Sequence, residues 1–275
     1  MYQIIAKRVC APEVIEYVIY APVIASSAAP GQFVMLRVDE NGERVPFTIC
    51  DFDRLKGSVT ILVQTVGVST YKLSLKNAGD DILDLAGPFG EATDLKNYSR
   101  ILLVAGGIGV AVIYPQAKVL NSKDCKFDVI LGVRNSQMLV YSNEIKILSD
   151  YLYITSDDGS VGIKGFVTDK IGELLNANQS HYDLVFAVGP PPMMRAVCEI
   201  TKRFNIKTIV SLNSIMLDGT GMCGCCRVTI GGQVKYSCVH GPEFDGHLVD
   251  WNEVIFRSKR FNALEKEHYC KLRGL

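Results

Sequence analysis

The sequence lacks an excess of charge of either sign and lacks a long uninterrupted apolar run. Among its 275 residues, 29 basic side chains balance 29 acidic ones, so the formal net charge is zero. This balance favours neither nucleic acid nor an anionic membrane surface as a partner. A long run without a charged residue lies between Arg100 and Lys118. Three glycines and a proline interrupt this run, so we expect no membrane span.

A targeting segment is also missing from the first residues, which combine no basic stretch with a following apolar run. Nine cysteines without an export signal indicate a reducing compartment, in which thiols serve metal binding or redox chemistry rather than disulfides. The sequence therefore predicts a cytoplasmic protein.

Turn signals and hydrophobic patterns divide the chain into three parts. Residues 1–97 contain short β segments separated by turns, which predicts a small antiparallel barrel or sandwich. Residues 98–208 alternate buried strands with helix-length stretches, which predicts a parallel sheet built from βαβ units. Residues 209–275 hold a cysteine-rich segment and a polar tail that we expect to end in a helix. The predicted fold class is a β barrel plus an α/β domain, with a small C-terminal subdomain.

Two glycine- and proline-rich turns follow predicted strands of the parallel sheet. In VAGGIGVAV (104–112), Gly107 and Gly109 fit the first two places of the dinucleotide motif G-x-G-x-x-G/A, but Val112 occupies the third. The second turn is VGPPPMM (188–194). Both follow strands of one parallel sheet, so they are predicted to lie at the same edge, where nucleotides bind. Tight strand–helix packing is the structural alternative.

Two further motifs in the first part could hold a phosphate. RVPFT (44–48) places an arginine, an aromatic residue and a hydroxyl on one strand, and QTVGVST (64–70) supplies a glycine and hydroxyls at a turn. Arginine and main-chain N–H groups suit a phosphate. A surface arginine and a Ser/Thr helix cap explain the same residues without a ligand.

The cysteine-rich segment has the spacing of an iron–sulfur site with one substitution. Counted from Asp218, the pattern is D-x4-C-x2-C-x11-C, through Cys223, Cys226 and Cys238. With cysteine in place of the aspartate, this would be the pattern of plant-type [2Fe–2S] ligation. The alternative is a structural zinc site formed by the three cysteines and His240. Cys225 is predicted to be a non-ligand, because adjacent loop residues point in different directions.

The order of these motifs, together with LAGPFG, GVR, TSDDGS, GFVTD and HGPEFDGH, resembles the ferredoxin–NADP reductase superfamily. Within it, the chain is similar to the FAD- and [2Fe–2S]-containing electron-transfer subunits of dihydroorotate dehydrogenase B and of NADH-dependent reduced ferredoxin:NADP oxidoreductase. The aspartate favours the second, since the first carries four cysteines. The resemblance implies an antiparallel FAD-binding barrel, a parallel-sheet NAD-binding domain and a small C-terminal [2Fe–2S] subdomain.

The resemblance also implies the binding residues. FAD contacts are expected from two strands and a turn: Arg44, Pro46, Phe47, Thr48, Leu62, Val63, Gln64, Gly67, Ser69 and Thr70. NAD(H) contacts, with NADP(H) left open, are expected from Gly106, Gly107, Gly109, Arg134, Gly189, Pro190 and Met193. Cluster ligation is expected from Asp218, Cys223, Cys226 and Cys238. One position departs from the pattern, because Val112 stands where relatives usually carry proline.

The implied function is electron transfer without a side chain acting as general acid or base. Hydride would pass between NAD(H) and FAD, and single electrons would pass through the [2Fe–2S] cluster to a partner. The resemblance implies that this partner is a larger subunit with FAD and [4Fe–4S] clusters, that the two form an electron-bifurcating heterodimer, and that ferredoxin is reached through the larger subunit. The alternatives are a dihydroorotate dehydrogenase B electron-transfer subunit and a zinc-stabilised nucleotide-binding module without redox function.

Overall fold

The computed structural model describes residues 1–95, 97–177 and 182–274. The first part of the chain folds into two antiparallel sheets with two short helices. Its elements are β1 (Tyr2–Ala11), β2 (Val14–Tyr20), α1 (Pro22–Ser27), β3 (Phe33–Arg37), β4 (Arg44–Thr48), β5 (Asp51–Asp53), β6 (Ser58–Gln64), α2 (Val68–Ser74), β7 (Asp81–Ile82) and β8 (Asp84–Phe89).

The two sheets of this part enclose one apolar core. Their strand orders are β5-β6-β2-β1-β7 and β4-β3-β8. Alternate residues of β2, namely Ile15, Tyr17 and Ile19, are buried in this core, as expected for strands with one face covered. The predicted antiparallel barrel is confirmed.

The middle part of the chain is a parallel sheet flanked by helices. Its elements are β9 (Arg100–Gly106), a 3-10 turn (Gly107–Gly109), α3 (Val110–Ser122), β10 (Lys126–Val133), a second 3-10 turn (Ser136–Met138), α4 (Ser142–Leu148), β11 (Tyr151–Ser156), β12 (Ile163–Lys164), α5 (Val167–Asn176), β13 (Leu184–Val188), α6 (Pro191–Arg203) and β14 (Lys207–Ser211).

The unbroken apolar run of β9 follows from its central place in this sheet. Ile101 and Leu103 face the core beneath α3, whereas Leu102 and Val104 face the core beneath α5 and α6. A parallel strand with helices over both faces has no polar side, so alternation disappears from its sequence. The predicted parallel sheet is confirmed.

The last part of the chain returns to the parallel sheet. It contains β15 (Arg227–Ile230), β16 (Gln233–Tyr236), α7 (Ser237–His240), β17 (Glu243–Asp245), α8 (Trp251–Ser258) and α9 (Asn262–Arg273). β17 pairs antiparallel with β14 and extends the sheet to the order β12-β11-β10-β9-β13-β14-β17. The boundary that the sequence predicted between the second and third parts, at residues 208 and 209, lies inside β14. Within the described ranges, no helix has the length and apolar character needed to cross a bilayer.

Candidate functional site

The two glycine-rich turns meet where the strand order of the parallel sheet changes direction. β9 and β13 are neighbours, but β9 is followed by β10 on one side and β13 by β14 on the other. Ligands of open α/β sheets bind beyond the carboxyl ends of the strands at such a point. Both turns leave the carboxyl ends of these strands, so the structure brings them together as the sequence predicts.

At Gly106 and Gly189 the two turns pack so closely that a side chain would not fit, whereas Gly107 borders open space. A Cβ on Gly106 would lie 2.5 Å from Met193 Sδ, and one on Gly189 would lie 2.8 Å from Met193 Cε. Gly107 differs, because its φ is +56° and a Cβ there would meet no atom within 4 Å. Gly106 and Gly189 therefore allow the turns to touch, while Gly107 leaves room for a ligand to approach the backbone.

Gly109 and Pro190, the other predicted residues of the two turns, directly precede helices. Gly109 precedes α3 and passes so close to the Val188 carbonyl that a Cβ would lie 2.6 Å from its oxygen. Pro190 directly precedes α6. Val112, at the position where relatives usually carry proline, is buried in the core between α3 and the sheet, and a proline occurs one turn later at Pro115.

Arg134 follows β10 at the same edge of the sheet. Its carbonyl accepts the N–H of Asp158 at 3.3 Å, and the N–H of Ser136 donates to Ser160 Oγ at 2.7 Å. These bonds join the loops after β10 and β11. Arg134 is exposed, and among the described residues its guanidinium has no ion-pair partner. It is therefore free to contact a nucleotide bound at the neighbouring turn.

The motif RVPFT forms β4, and its register with β3 divides the predicted flavin residues between two faces. Successive strand residues point to opposite sides, so Arg44, Pro46 and Thr48 share one face. Phe47 lies on the other face and packs against the barrel core. The Arg44 guanidinium donates to the Asp84 carboxylate at 3.0 Å and remains half-exposed. The structure thus brings three of the four residues together and places the Phe47 side chain elsewhere.

β6 lies beside β4 and also divides its residues between two faces. Leu62 packs in the core shared with α3, whereas Val63 packs in the barrel core. Gln64 ends the strand and is half-buried. Leu62 and Gln64 are therefore directed away from the barrel interior, and a flavin contact from Val63 would have to use its main chain.

The turn after β6 is organised by a threonine cap. Thr70 Oγ1 accepts the N–H groups of Val66 and Gly67, both at 3.0 Å, and donates to the Gly67 carbonyl at 2.9 Å. The helix-cap interpretation of this hydroxyl therefore agrees with the structure. No hydrogen bond joins the Ser69 hydroxyl to another described residue. Ser69 and the main chain of Gly67 are the groups that this turn can offer to a phosphate.

The predicted cluster ligands include a buried pair and an exposed member. Cys226 and Cys238 are buried, and their Sγ atoms lie 3.2 Å apart without a disulfide bond. Burial raises the pKa of the Cys238 thiol, so binding of a metal there would have to displace a proton. Cys223 lies on the exposed part of the loop, and its Sγ accepts the N–H of Cys225 at 3.5 Å.

Asp218 uses both carboxylate oxygens to hold the start of the cluster loop. Its Oδ1 accepts the Thr220 N–H at 2.6 Å, and its Oδ2 accepts the Cys223 N–H at 2.9 Å. The bond from Thr220 lowers the pKa of the Asp218 carboxyl, which favours the charged form. Oδ1 also accepts the Thr220 hydroxyl at 3.2 Å, so about one of the four lone-pair directions of the carboxylate remains for an iron ion.

The donor set fits an iron–sulfur cluster better than a single zinc ion. Among the described residues, no group of three or more His, Cys, Asp and Glu side chains converges as one metal ion would require. A two-iron cluster needs two donors at each iron, and Cys226 with Cys238 already forms one such pair. His240, the fourth ligand of the zinc alternative, uses its Nδ1 to accept the Tyr236 N–H at 3.1 Å.

Helix α8 holds the same loop from the other side. The Arg257 guanidinium donates to the Cys225 carbonyl at 2.8 Å. This bond fixes the main chain between Cys223 and Cys226, so the loop is supported at its middle as well as at Asp218.

A buried polar group joins the three parts of the chain and was not predicted from the sequence. Glu243 on β17 accepts hydrogen bonds from Thr93 Oγ1 at 2.5 Å and from Gln116 Nε2 on α3 at 3.3 Å. Burial raises the pKa of Glu243 to about 7. In the sequence Glu243 stands out only as part of the motif HGPEFDGH, and this motif does not indicate that Thr93 and Gln116 cover its carboxyl group.

We expect Glu243→Gln to stabilise the protein at alkaline pH. The folded protein holds a proton on Glu243 that the unfolded chain has released, so stability falls as pH rises from about 4.5 to about 7. The amide oxygen can still accept both hydrogen bonds but does not titrate. The Tm of the variant should match that of the wild type at pH 4 and exceed it at pH 8, by several degrees. An equal difference at both pH values would contradict the assigned pKa.

Comparisons with known proteins place the chain in a family. Residues 103–199 match the oxidoreductase NAD-binding domain, and residues 213–250 match the iron–sulfur cluster binding domain of dihydroorotate dehydrogenase B. The chain is 43% identical over 267 residues to the dihydroorotate dehydrogenase B (NAD(+)) electron transfer subunit homolog of Thermotoga maritima, which covers 97% of this chain and 94% of the relative. The chain belongs to the family of dihydroorotate dehydrogenase B electron transfer subunits and their homologues.

Other members and solved structures agree. The electron transfer subunit of Fusobacterium nucleatum is 34% identical over 223 residues, which cover 78% of this chain and 84% of the relative. A chain of the NADH-dependent reduced ferredoxin-NADP oxidoreductase superposes with a TM-score of 0.92 at 42% identity, over 99% of this chain and 98% of that chain. Phthalate dioxygenase reductase, at 18% identity and a TM-score of 0.61 over 83% and 85% of the two chains, shares the fold. The protein is an NAD(P)H-dependent flavin and iron–sulfur oxidoreductase subunit of this family.

Proposed function

We propose that this chain exchanges hydride between NAD(H) and FAD and passes single electrons through a [2Fe–2S] cluster to a larger subunit of an electron-bifurcating NADH-dependent reduced ferredoxin:NADP oxidoreductase. The observation that carries the proposal is the buried Cys226–Cys238 pair, preceded by an aspartate, in a chain with an open glycine turn at the switch point of its sheet. The superposition over nearly the whole chain supports it.

The side chains bind and orient, while the cofactors supply the redox chemistry. Flavin can accept two electrons as hydride and release them one at a time, which is the chemistry such a site needs. Gly107 would admit the nucleotide pyrophosphate to the N–H groups at the start of α3. Arg44 would hold a phosphate of FAD, and Cys223, Cys226, Cys238 and Asp218 would hold the cluster.

Exposed apolar side chains at the cluster loop support the proposed partner. Leu217, Met222 and Val239 are 56%, 90% and 42% exposed, although they lie in or beside the loop that holds the ligands. A protein partner would cover such side chains and bring its own cofactors close to the cluster. We propose a heterodimer with a larger subunit that carries FAD and [4Fe–4S] clusters and through which ferredoxin is reached. None of the nine cysteines forms a disulfide bond, which supports our proposal of a cytoplasmic location.

The second candidate function is electron transfer to a dihydroorotate dehydrogenase, which the names of the relatives favour. Mass spectrometry of the native complex separates the two, because the partners differ in mass and cofactor content. A visible spectrum tests the redox function itself. We expect flavin bands and a broad iron–sulfur shoulder that both bleach on addition of NADH. A colourless protein that contains zinc would reject the proposal.

Asp218→Cys should still assemble a cluster but change its EPR spectrum and potential. The variant completes the all-cysteine pattern, and thiolate donates more electron density to iron than carboxylate does. Asp218→Ala should give a labile, oxygen-sensitive cluster, because it leaves one coordination position open.

The capping role of Asp218 gives the competing expectation. If the carboxylate only accepts the Thr220 and Cys223 N–H groups, Asp218→Asn would be nearly silent and Asp218→Cys would keep the wild-type EPR spectrum. An unchanged spectrum of the cysteine variant would therefore reject ligation by Asp218.

A further inference from the structure

Apolar side chains fill the space between the sheet β4-β3-β8 and the cluster loop. Phe33 and Met35 of β3 are buried there together with Met216, Cys226 and Cys238. Phe89 of β8 packs against the same group, with its ring centroid 5.9 Å from that of Phe33. The buried thiols therefore contact the barrel through hydrocarbon and thioether groups.

The same face of this sheet carries the predicted flavin residues. Met35 pairs with Pro46 and Phe33 pairs with Thr48 across the antiparallel ladder. Directly opposed residues of paired strands point to the same face. Met35 thus lies beside Pro46 on β4 and packs in the same buried group as Cys226 and Cys238.

The cluster loop also touches Met35 next to Asp218. Gly219 has a φ of +83°, and a Cβ there would lie 2.9 Å from Met35 Cγ and 3.1 Å from Phe89 Cδ2. Only glycine combines this backbone conformation with so close an approach. The residue that follows Asp218 therefore touches Met35, and the Cys226–Cys238 pair lies in the same buried group as Met35.

We propose that Met35 is the positioning residue that joins the flavin side of the barrel to the cluster and keeps water from the buried thiols. This inference rests on the proposed function. The step that it serves moves one electron from reduced flavin, which is oxidised, to the oxidised cluster, which is reduced; no bond forms or breaks at Met35. Its thioether is apolar and polarisable and brings no N–H or O–H donor to the cluster sulfurs. Such a dry contact disfavours the extra negative charge of the reduced cluster and lowers its potential.

Met35→Gln tests this role, because glutamine has a similar shape but carries an amide. The variant should raise the cluster potential enough to change the ratio of reduced to oxidised cluster about tenfold at a fixed potential, which corresponds to about 59 mV for one electron. Met35→Leu should keep the wild-type potential. Redox titration of the holoprotein followed by EPR measures the cluster potential.

Val34→Thr is the matched control. Val34 is buried on the same strand but on the opposite face, in the barrel core, so its polar variant should leave the cluster potential unchanged. A wild-type potential in Met35→Gln, or an equal shift in Val34→Thr, would overturn the proposal.

A second measurement tests the role of Met35 even if its variants do not assemble a cluster. In the cluster-free full chain, Met35→Ala should make Cys226 and Cys238 react several-fold faster with iodoacetamide than in the wild type, because thiol reactivity follows access. Equal rates would overturn the proposal. Absence of flavin and iron from the wild type would instead reject the proposed function, so the two failures are distinguishable.

Discussion

Cys226→Ser should lose its iron, whereas Cys225→Ser should keep about two irons per chain, as a [2Fe–2S] centre requires. Cys226 is 2% exposed, and its Sγ lies 3.2 Å from that of Cys238, so its thiol faces the second buried donor. Cys225 is half-exposed, and the contact that fixes its position is the bond from Arg257 to its carbonyl, which serine would retain. The loss should be nearly complete, because a neutral serine hydroxyl is a much weaker iron ligand than a thiolate or a carboxylate.

Iron and sulfide analysis of the anaerobically purified variants measures this difference, and the EPR signal of the reduced protein provides an independent readout. Cys198→Ser is a suitable control, because this buried cysteine lies in the core of the parallel sheet. Loss of iron in Cys225→Ser with retention in Cys226→Ser would mean that the ligand register is shifted by one residue.

Gly107→Asn should weaken NADH binding by at least about tenfold, or about 1.4 kcal/mol, without loss of flavin or iron. Asparagine tolerates the left-handed conformation that Gly107 adopts at φ +56°, so the turn should still form. Its side chain would, however, occupy the open space through which a pyrophosphate reaches the N–H groups at the start of α3. The rate of flavin reduction as a function of NADH concentration gives the change in affinity.

Gly232→Asn is the matched control for this substitution. Gly232 has a φ of +79° with no atom within 4 Å of an added Cβ, and it lies in the tight turn between β15 and β16. Asparagine suits such a hairpin turn, so this variant should bind NADH as the wild type does. Unchanged NADH affinity in Gly107→Asn would place the nucleotide away from this turn.

Local patterns were sufficient to predict the main strands and helices and to propose residues for the nucleotide, flavin and cluster sites. The apolar run of β9 followed by glycines predicted a buried strand and a turn, because such a run suits a strand covered on both faces. The second turn was placed at the same sheet edge because parallel strands share one carboxyl end. The D-x4-C-x2-C-x11-C spacing predicted the cluster loop, whose donors lie close in sequence.

Tertiary packing decided which face of each element the side chains occupy. Nothing in RVPFT indicates that Phe47 packs in the barrel core while Arg44, Pro46 and Thr48 share the other face. That assignment depends on which side of β4 the other sheet covers.

The sequence by itself predicted the three-part organisation, the two candidate nucleotide turns and the order of the candidate cluster donors, since each prediction depends on residues that are neighbours along the chain. The tertiary structure alone decided that β17 would join β14, that Glu243 would be buried beneath Thr93 and Gln116, and that Met35 would lie between Pro46 and the buried thiols. The contacts of Glu243 with Thr93 and Gln116, and of Met35 with the buried thiols, join residues more than a hundred positions apart. They form only when the apolar faces of the three parts of the chain pack against one another, and no local sequence pattern specifies that packing.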